Sequence, residues 1–113
     1  MIITMNHLFV ASEYEAQFEE RFLKRASTID HVPGFLLNQV LRPTQAGEPY
    51  VVLTLWESQA AFENWLQSAA FRQAHNPKLP QEAYLAPNRV DLHEVIASRF
   101  SPTFNLQETE IKG

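Results

Sequence analysis

Residues 56–75, WESQAAFENWLQSAAFRQAH, constrain the fold of this chain more than any other stretch. Phe62, Trp65, Leu66 and Ala69 recur at spacings of three and four, the period of a helix with one apolar stripe. Such a stripe has to be laid against another element. Ser58 can cap its start, and Ser68 can cap a short second helix carrying Phe71 and His75, because a serine oxygen accepts from a free first-turn amide. Asn76-Pro77 stops the run, since proline disfavours helical geometry in the residue before it. On one straight helix the step from Trp65 to His75 is about 1000° of turn, roughly 80° out of alignment. A break at Ser68 would let indole and imidazole converge on one cavity. That pair would suit a planar, metal-containing ligand.

The segments around it fall into a regular order. Residues 2–10 read as a strand with Ile2, Thr4, Asn6, Leu8 and Val10 on one face and Ile3, Met5, His7 and Phe9 on the other. Ser12-Glu13-Tyr14-Glu15 is a capping-box pattern, and Tyr14, Phe18, Phe22, Ala26 and Ile29 follow at helical spacing, which predicts a helix over 13–29. Its early glutamates and later Arg21, Lys24 and Arg25 suit the helix dipole. Pro33-Gly34 breaks the chain. Residues 35–42 and 50–56 read as a strand pair joined by a turn at 43–49 that contains Gly47, an antiparallel hairpin. Residues 76–87 hold Pro77, Pro80 and Pro87 and read as a loop of a length often used as a lid. Residues 88–97 read as a fourth strand. The order is β-α-β-β-α-β, the ferredoxin-like α+β arrangement with an antiparallel sheet. Residues 1–97 make one domain and 98–113 a tail, in which Phe104, Leu106 and Ile111 could add an edge strand. With helices on one sheet face, the other stays apolar and bare, which predicts pairing with a second copy as a dimeric α+β barrel.

Composition narrows the function. With 113 residues and an apolar share of 45%, the chain is long enough for one packed domain and too apolar for intrinsic disorder. A net charge of -4 argues against nucleic-acid binding, which needs clustered Lys and Arg. No apolar run approaches the roughly 20 residues of a membrane span, and MIITMNHLFV lacks the basic region of a signal peptide. A cytoplasmic location is expected. There is no cysteine, so any metal ligand must be an imidazole, a carboxylate or a hydroxyl. His7, His31 and His93 lack metal-site spacing, and there is no HExxH, GxGxxG, P-loop or GxSxG. His75 reads either as a helix-terminal cation or as an iron ligand. Trp65 reads either as core or as a cofactor contact, and Trp56 as structural. Asn6, a poor strand former, is either a satisfied amide or a donor aimed at a ligand.

The segments LTLWESQAAFENWLQSAAFRQAH, MNHLFV, EERFLKR and PGF together resemble the IsdG-type haem-degrading monooxygenases, a branch of the antibiotic-biosynthesis monooxygenase (ABM) superfamily, over residues 3–97. That family carries an Asn–Trp–His set, matched here by Asn6, Trp65 and His75. The resemblance implies a ferredoxin-like dimer and haem as both cofactor and substrate, opened with oxygen and an electron donor to release iron. It implies that His75 holds the iron, that Trp65 presses on one side of the porphyrin, and that Asn6 offers its amide on the side opposite His75. Arg21 and Arg25 are then expected to meet the propionates on charge grounds, with Phe22, Phe62, Leu66 and Phe71 as the lining. Two other functions remain compatible with the residues. One is a cofactor-free ABM-type monooxygenase acting on a quinol-like aromatic, and the other a non-catalytic haem-binding dimer.

Overall fold

The computed structural model describes residues 1–24, 29–74 and 79–105. It contains β1 (Ile2–Leu8), α1 (Glu15–Lys24), β2 (Phe35–Leu41), β3 (Tyr50–Trp56), α2 (Gln59–Leu66), α3 (Ala69–Ala74) and β4 (Arg89–Glu94). The four strands form one antiparallel sheet in the order β2-β3-β1-β4. The predicted element order and fold class hold.

Cross-strand pairing gives each face its composition. Ile2 lies opposite Trp56, Thr4 opposite Thr54, Asn6 opposite Val52 and Leu8 opposite Tyr50. On the other side of β1, Thr4 neighbours Leu92 and Asn6 neighbours Val90. Because strand side chains alternate, all of these share one face, and the helices cover that face at its two ends. At one end Phe18 of α1 packs on Tyr50, with ring centroids 4.7 Å apart, and on Phe22 at 4.8 Å. At the other end Trp65 of α2 meets Trp56 at 6.2 Å, and Phe35 and Phe62 close around Trp56. Trp56 and Phe18 are the largest fully buried side chains, so the structural reading of Trp56 is correct.

The break in the second helical segment falls where the serines predicted it. Ser58 accepts from the Ala61 amide at 3.1 Å and starts α2. Ser68 donates to the Trp65 carbonyl at 2.7 Å and accepts from the Phe71 amide at 3.1 Å. One hydroxyl thus ends α2 and caps α3.

Three local expectations need correction. Ser12 does not cap α1. It lies in a 3-10 turn, Ser12–Tyr14, preceded by Ala11 and without a side-chain cap. The Ala11 amide bonds to the Ala83 carbonyl at 2.7 Å, which draws the chain into a tight turn and leaves Ser12 bonding only to the neighbouring Glu13. The α-helix therefore begins at Glu15 rather than residue 13, and of its predicted C-terminal part, residues 25–28 lie outside the described residues. The first strand ends at Leu8, with Val10 in a separate bridge to Tyr84. The proline-rich connection is not wholly irregular: Gln81–Ala83 forms a 3-10 turn, and the Leu85 amide bonds to the Phe9 carbonyl at 2.7 Å. Among the described tail residues, 98–105, there is no strand; Leu106 and Ile111 lie outside the described residues.

One polar clamp fixes α1 to the sheet. The Glu19 carboxylate accepts from Arg42 Nε at 2.8 Å, from a second Arg42 nitrogen and from the Tyr50 hydroxyl. The Arg42 hydrogen bond holds the Glu19 carboxyl below its ordinary range, while burial, then Glu19, pushes the Tyr50 phenol up. A lowered carboxyl pKa adds stability that is complete above the unfolded-state value near 4.5 and is lost as pH falls through the folded-state value. We expect the urea midpoint to drop between pH 5 and 3, with a shallower drop in Arg42→Gln. Tyr50→Phe removes a hydrogen bond to a charged acceptor and should cost about 1–2 kcal/mol in urea unfolding.

Candidate functional site

The two aromatic clusters leave the middle of the helix-facing sheet surface between them. Its rows are Thr54–Thr4–Leu92 and Val52–Asn6–Val90. Thr4 and Thr54 are buried, and Asn38 Nδ2 donates to Thr54 Oγ1 at 3.0 Å. Toward β4 the surface opens. Val90 is 48% exposed and Leu92 43%, although both belong to the face that the helices cover elsewhere. This is a gap on the β4 side of the face, with Asn6 set among Val52, Val90 and Leu92 in its floor.

Asn6 is half-buried, and its Oδ1 accepts from Asn88 Nδ2 at 2.9 Å. Its carbonyl end is therefore engaged, and its Nδ2 has no acceptor among the described residues. The sequence reading left a satisfied amide and a ligand-directed donor open; the carbonyl end is satisfied.

The other candidates separate. Trp65 lies on the same side of the sheet as Asn6 but is only 8% exposed, held between Trp56 and the edge of Phe71, whose centroid is 5.5 Å away. It is a core residue. Phe62 and Phe71 belong to that cluster, whereas Phe22 belongs to the opposite one with Phe18. Leu66, at the end of α2, is 43% exposed. Arg21 of α1 makes no ion pair among the described residues, unlike Lys24, which pairs with Glu20 at 2.7 Å. His75 and Arg25 lie outside the described residues. Asn88, Val90 and Leu92 escaped the sequence reading. Alternation places Val90 and Leu92 on one face of β4, but only the strand order puts that face beside Asn6.

The opposite sheet face is different in kind. Its apolar side chains are Ile3, Met5, Leu37, Leu53 and Leu55, with polar groups toward β4. His7 Nε2 lies 3.0 Å from Asp91 Oδ2, and Arg89 Nε lies 3.6 Å from Asp91 Oδ1. His7 and Arg89 border an open cavity of about 370 Å³ that also takes in Val51, Glu48 and the Pro43–Gln45 turn. Because His7 and Asn6 point to opposite faces, this cavity and the gap are separate. Among the described residues no cluster of three His, Asp or Glu could hold a metal ion, and no helix is long and apolar enough to cross a membrane.

The profile of the antibiotic biosynthesis monooxygenase family matches residues 1–77. The chain belongs to that family. Within it, this ABM chain is similar to a mycobilin-producing heme oxygenase of Mycobacterium tuberculosis, 38% identical over 69 residues that span 61% of this chain and 66% of the relative. A heme-degrading monooxygenase of Halalkalibacterium halodurans is 31% identical over 97 residues, covering 84% of this chain and 82% of its own. Among solved structures, MhuD of M. tuberculosis with two hemes in its active site superposes with a TM-score of 0.75 at 30% identity, over 88% of this chain and all of that one. These relatives put the chain in the IsdG-type branch of the ABM superfamily.

Proposed function

We propose that this protein is a haem-degrading monooxygenase: it binds haem as substrate and, with oxygen and a reductant, opens the macrocycle and releases iron. The observation that carries this reading is the similarity to MhuD, whose haem-bound structure aligns along its full length with this chain. The described residues fit such a ligand. Val52, Val90 and Leu92 surround Asn6 in the floor of the gap, Asn6 Nδ2 has no acceptor among the described residues, Leu66 is half-exposed at its border element, and Arg21 is a cation without an ion-pair partner among the described residues. A flat, largely apolar ring with anionic propionates would match these features.

In this reading His75 would hold the iron through a neutral ring nitrogen, so the second proton of the imidazolium form competes with binding. Haem iron, when bound, would supply the oxygen chemistry. The protein's part is to hold, orient and shield. Trp65 would pack against the ring, with Phe62 and Phe71 fixing the indole. Asn6 offers an N–H on the side opposite His75. Leu66 and Phe22 exclude water from the two flanks. Arg21 and Arg25 pair with the propionates. We place the activity in the cytoplasm, where reductants for such a reaction are available. Residues 1–97 form the catalytic unit and 98–113 a tail.

Hemin added to the purified protein should give a Soret band, and ascorbate should bleach it with release of chelatable iron. No band would point to cofactor-free ABM chemistry, and a stable band to a haem carrier.

The protein is further proposed to act as a homodimer. The sheet face away from the helices is apolar over β2, β3 and β1, and just beyond β4 the tail leaves Ile96 94% and Phe100 74% exposed. Surfaces of this kind on a small domain are commonly interfaces. Sedimentation should give twice the chain mass of 13.0 kDa; a single species at the chain mass removes the dimer.

A further inference from the structure

We propose that Asn88 is a positioning residue that decides which end of the Asn6 amide faces the gap. This rests on the reading of Asn6 as the donor to the bound substrate. A primary amide has two ends of nearly equal size, one accepting and one donating, and rotation by about 180° exchanges them. The side chains that flank Asn6 across the sheet are Val52 and Val90, which offer it no hydrogen bond. Packing alone therefore does not distinguish the two orientations. The distinction comes from one contact, the Asn88 Nδ2 donating to Asn6 Oδ1 at 2.9 Å. With Oδ1 held there, the two Nδ2 hydrogens are left for the gap. Asn88 comes just before β4, two residues from Val90, the neighbour of Asn6, so alternation puts Asn88 and Val90 on the same face.

The chemistry distinguishes this role from simple packing. Asn88→Ala removes the donor and lets the amide sample both orientations. Asn88→Asp is nearly isosteric, but its carboxylate only accepts, so it draws Asn6 Nδ2 to itself and turns Oδ1 toward the gap. Protonating that carboxyl, in the ordinary range near pH 4, restores a donor and reverses the turn.

The experiment uses the ¹⁵N-labelled full chain without haem and follows the Asn6 side-chain NH₂ signals. In Asn88→Asp one Asn6 amide proton should move downfield and exchange more slowly at pH 7. Both changes should reverse as pH falls toward 3, compared with unsubstituted protein at the same pH. Asn88→Ala should show no such pH dependence. With hemin and ascorbate, Asn88→Ala should slow turnover about 2- to 10-fold, the range of one neutral hydrogen bond, with hemin affinity within about 2-fold. Asn88→Asp should be slower still at pH 7. Identical Asn6 signals in all three proteins overturn the proposal. If the signals behave as described while the protein fails to take up hemin, Asn88 keeps its positioning role and the haem reading falls.

Discussion

His75→Ala should lose the hemin-dependent spectrum. The argument starts from coordination chemistry: with no cysteine in the chain, an imidazole is the strongest ligand available for haem iron. The helical run from Ser58 is cut at Ser68, which caps α3, and position 75 follows the described part of that helix, Ala69–Ala74. Losing even an outer partner of a metal ligand typically costs 10- to 100-fold in affinity, so loss of the ligand itself should weaken hemin binding by more than roughly 100-fold. The Soret band at low micromolar hemin reads this directly. Added imidazole should restore part of it by filling the vacated position. In the unsubstituted protein, binding should weaken as pH falls below the ordinary histidine range near 6.5, because a protonated ring has no lone pair to give. A His75→Ala protein with an unaltered spectrum would assign the iron to another group.

The second large effect is on the frame. Gly34→Ala should destabilise the fold by about 2–6 kcal/mol, a large share of the 5–15 kcal/mol typical of such a domain. Two costs combine. Gly34 has φ of +81°, where a side chain is strained by roughly 1–3 kcal/mol. A Cβ there would also stand 2.4 Å from the Ala61 Cβ, so α2 has to move away, at about 1–3 kcal/mol for overpacking. The Gly34 carbonyl accepts from the Glu57 amide at 2.8 Å, which ties this turn to the start of α2. Since α2 carries Trp65, the shift should also lower hemin affinity under conditions where the variant stays folded. Urea unfolding followed by tryptophan fluorescence measures the first effect, and hemin titration the second. A midpoint equal to that of the unsubstituted protein would show that the turn relaxes without moving α2.

The Glu19 clamp and Asn88 illustrate what escapes a linear reading. Nothing in the linear order of residues singles out Glu19 among the acids of α1. It holds Arg42 and Tyr50 from two other elements, because the hairpin between β2 and β3 brings residues 42 and 50 to one corner. Asn88 looked like the first residue of a strand, and its value lies wholly in what stands next to it. Trp65 was read as either core or cofactor contact. The packing of Trp56 and Phe71 around it makes it core.

Local chemistry along the chain was enough to set the number, type and order of elements, the serine-controlled break between α2 and α3, and the oddity of an amide inside a strand. These depend on periodicity and capping, which act within a few residues. The strand order that makes β1 central, the split of the aromatics into two clusters with an open gap between them, and the pairing of Asn6 with Asn88 were decided only by the folded chain. They depend on which distant segments close on one another, and alternation within a strand carries no information about its neighbour.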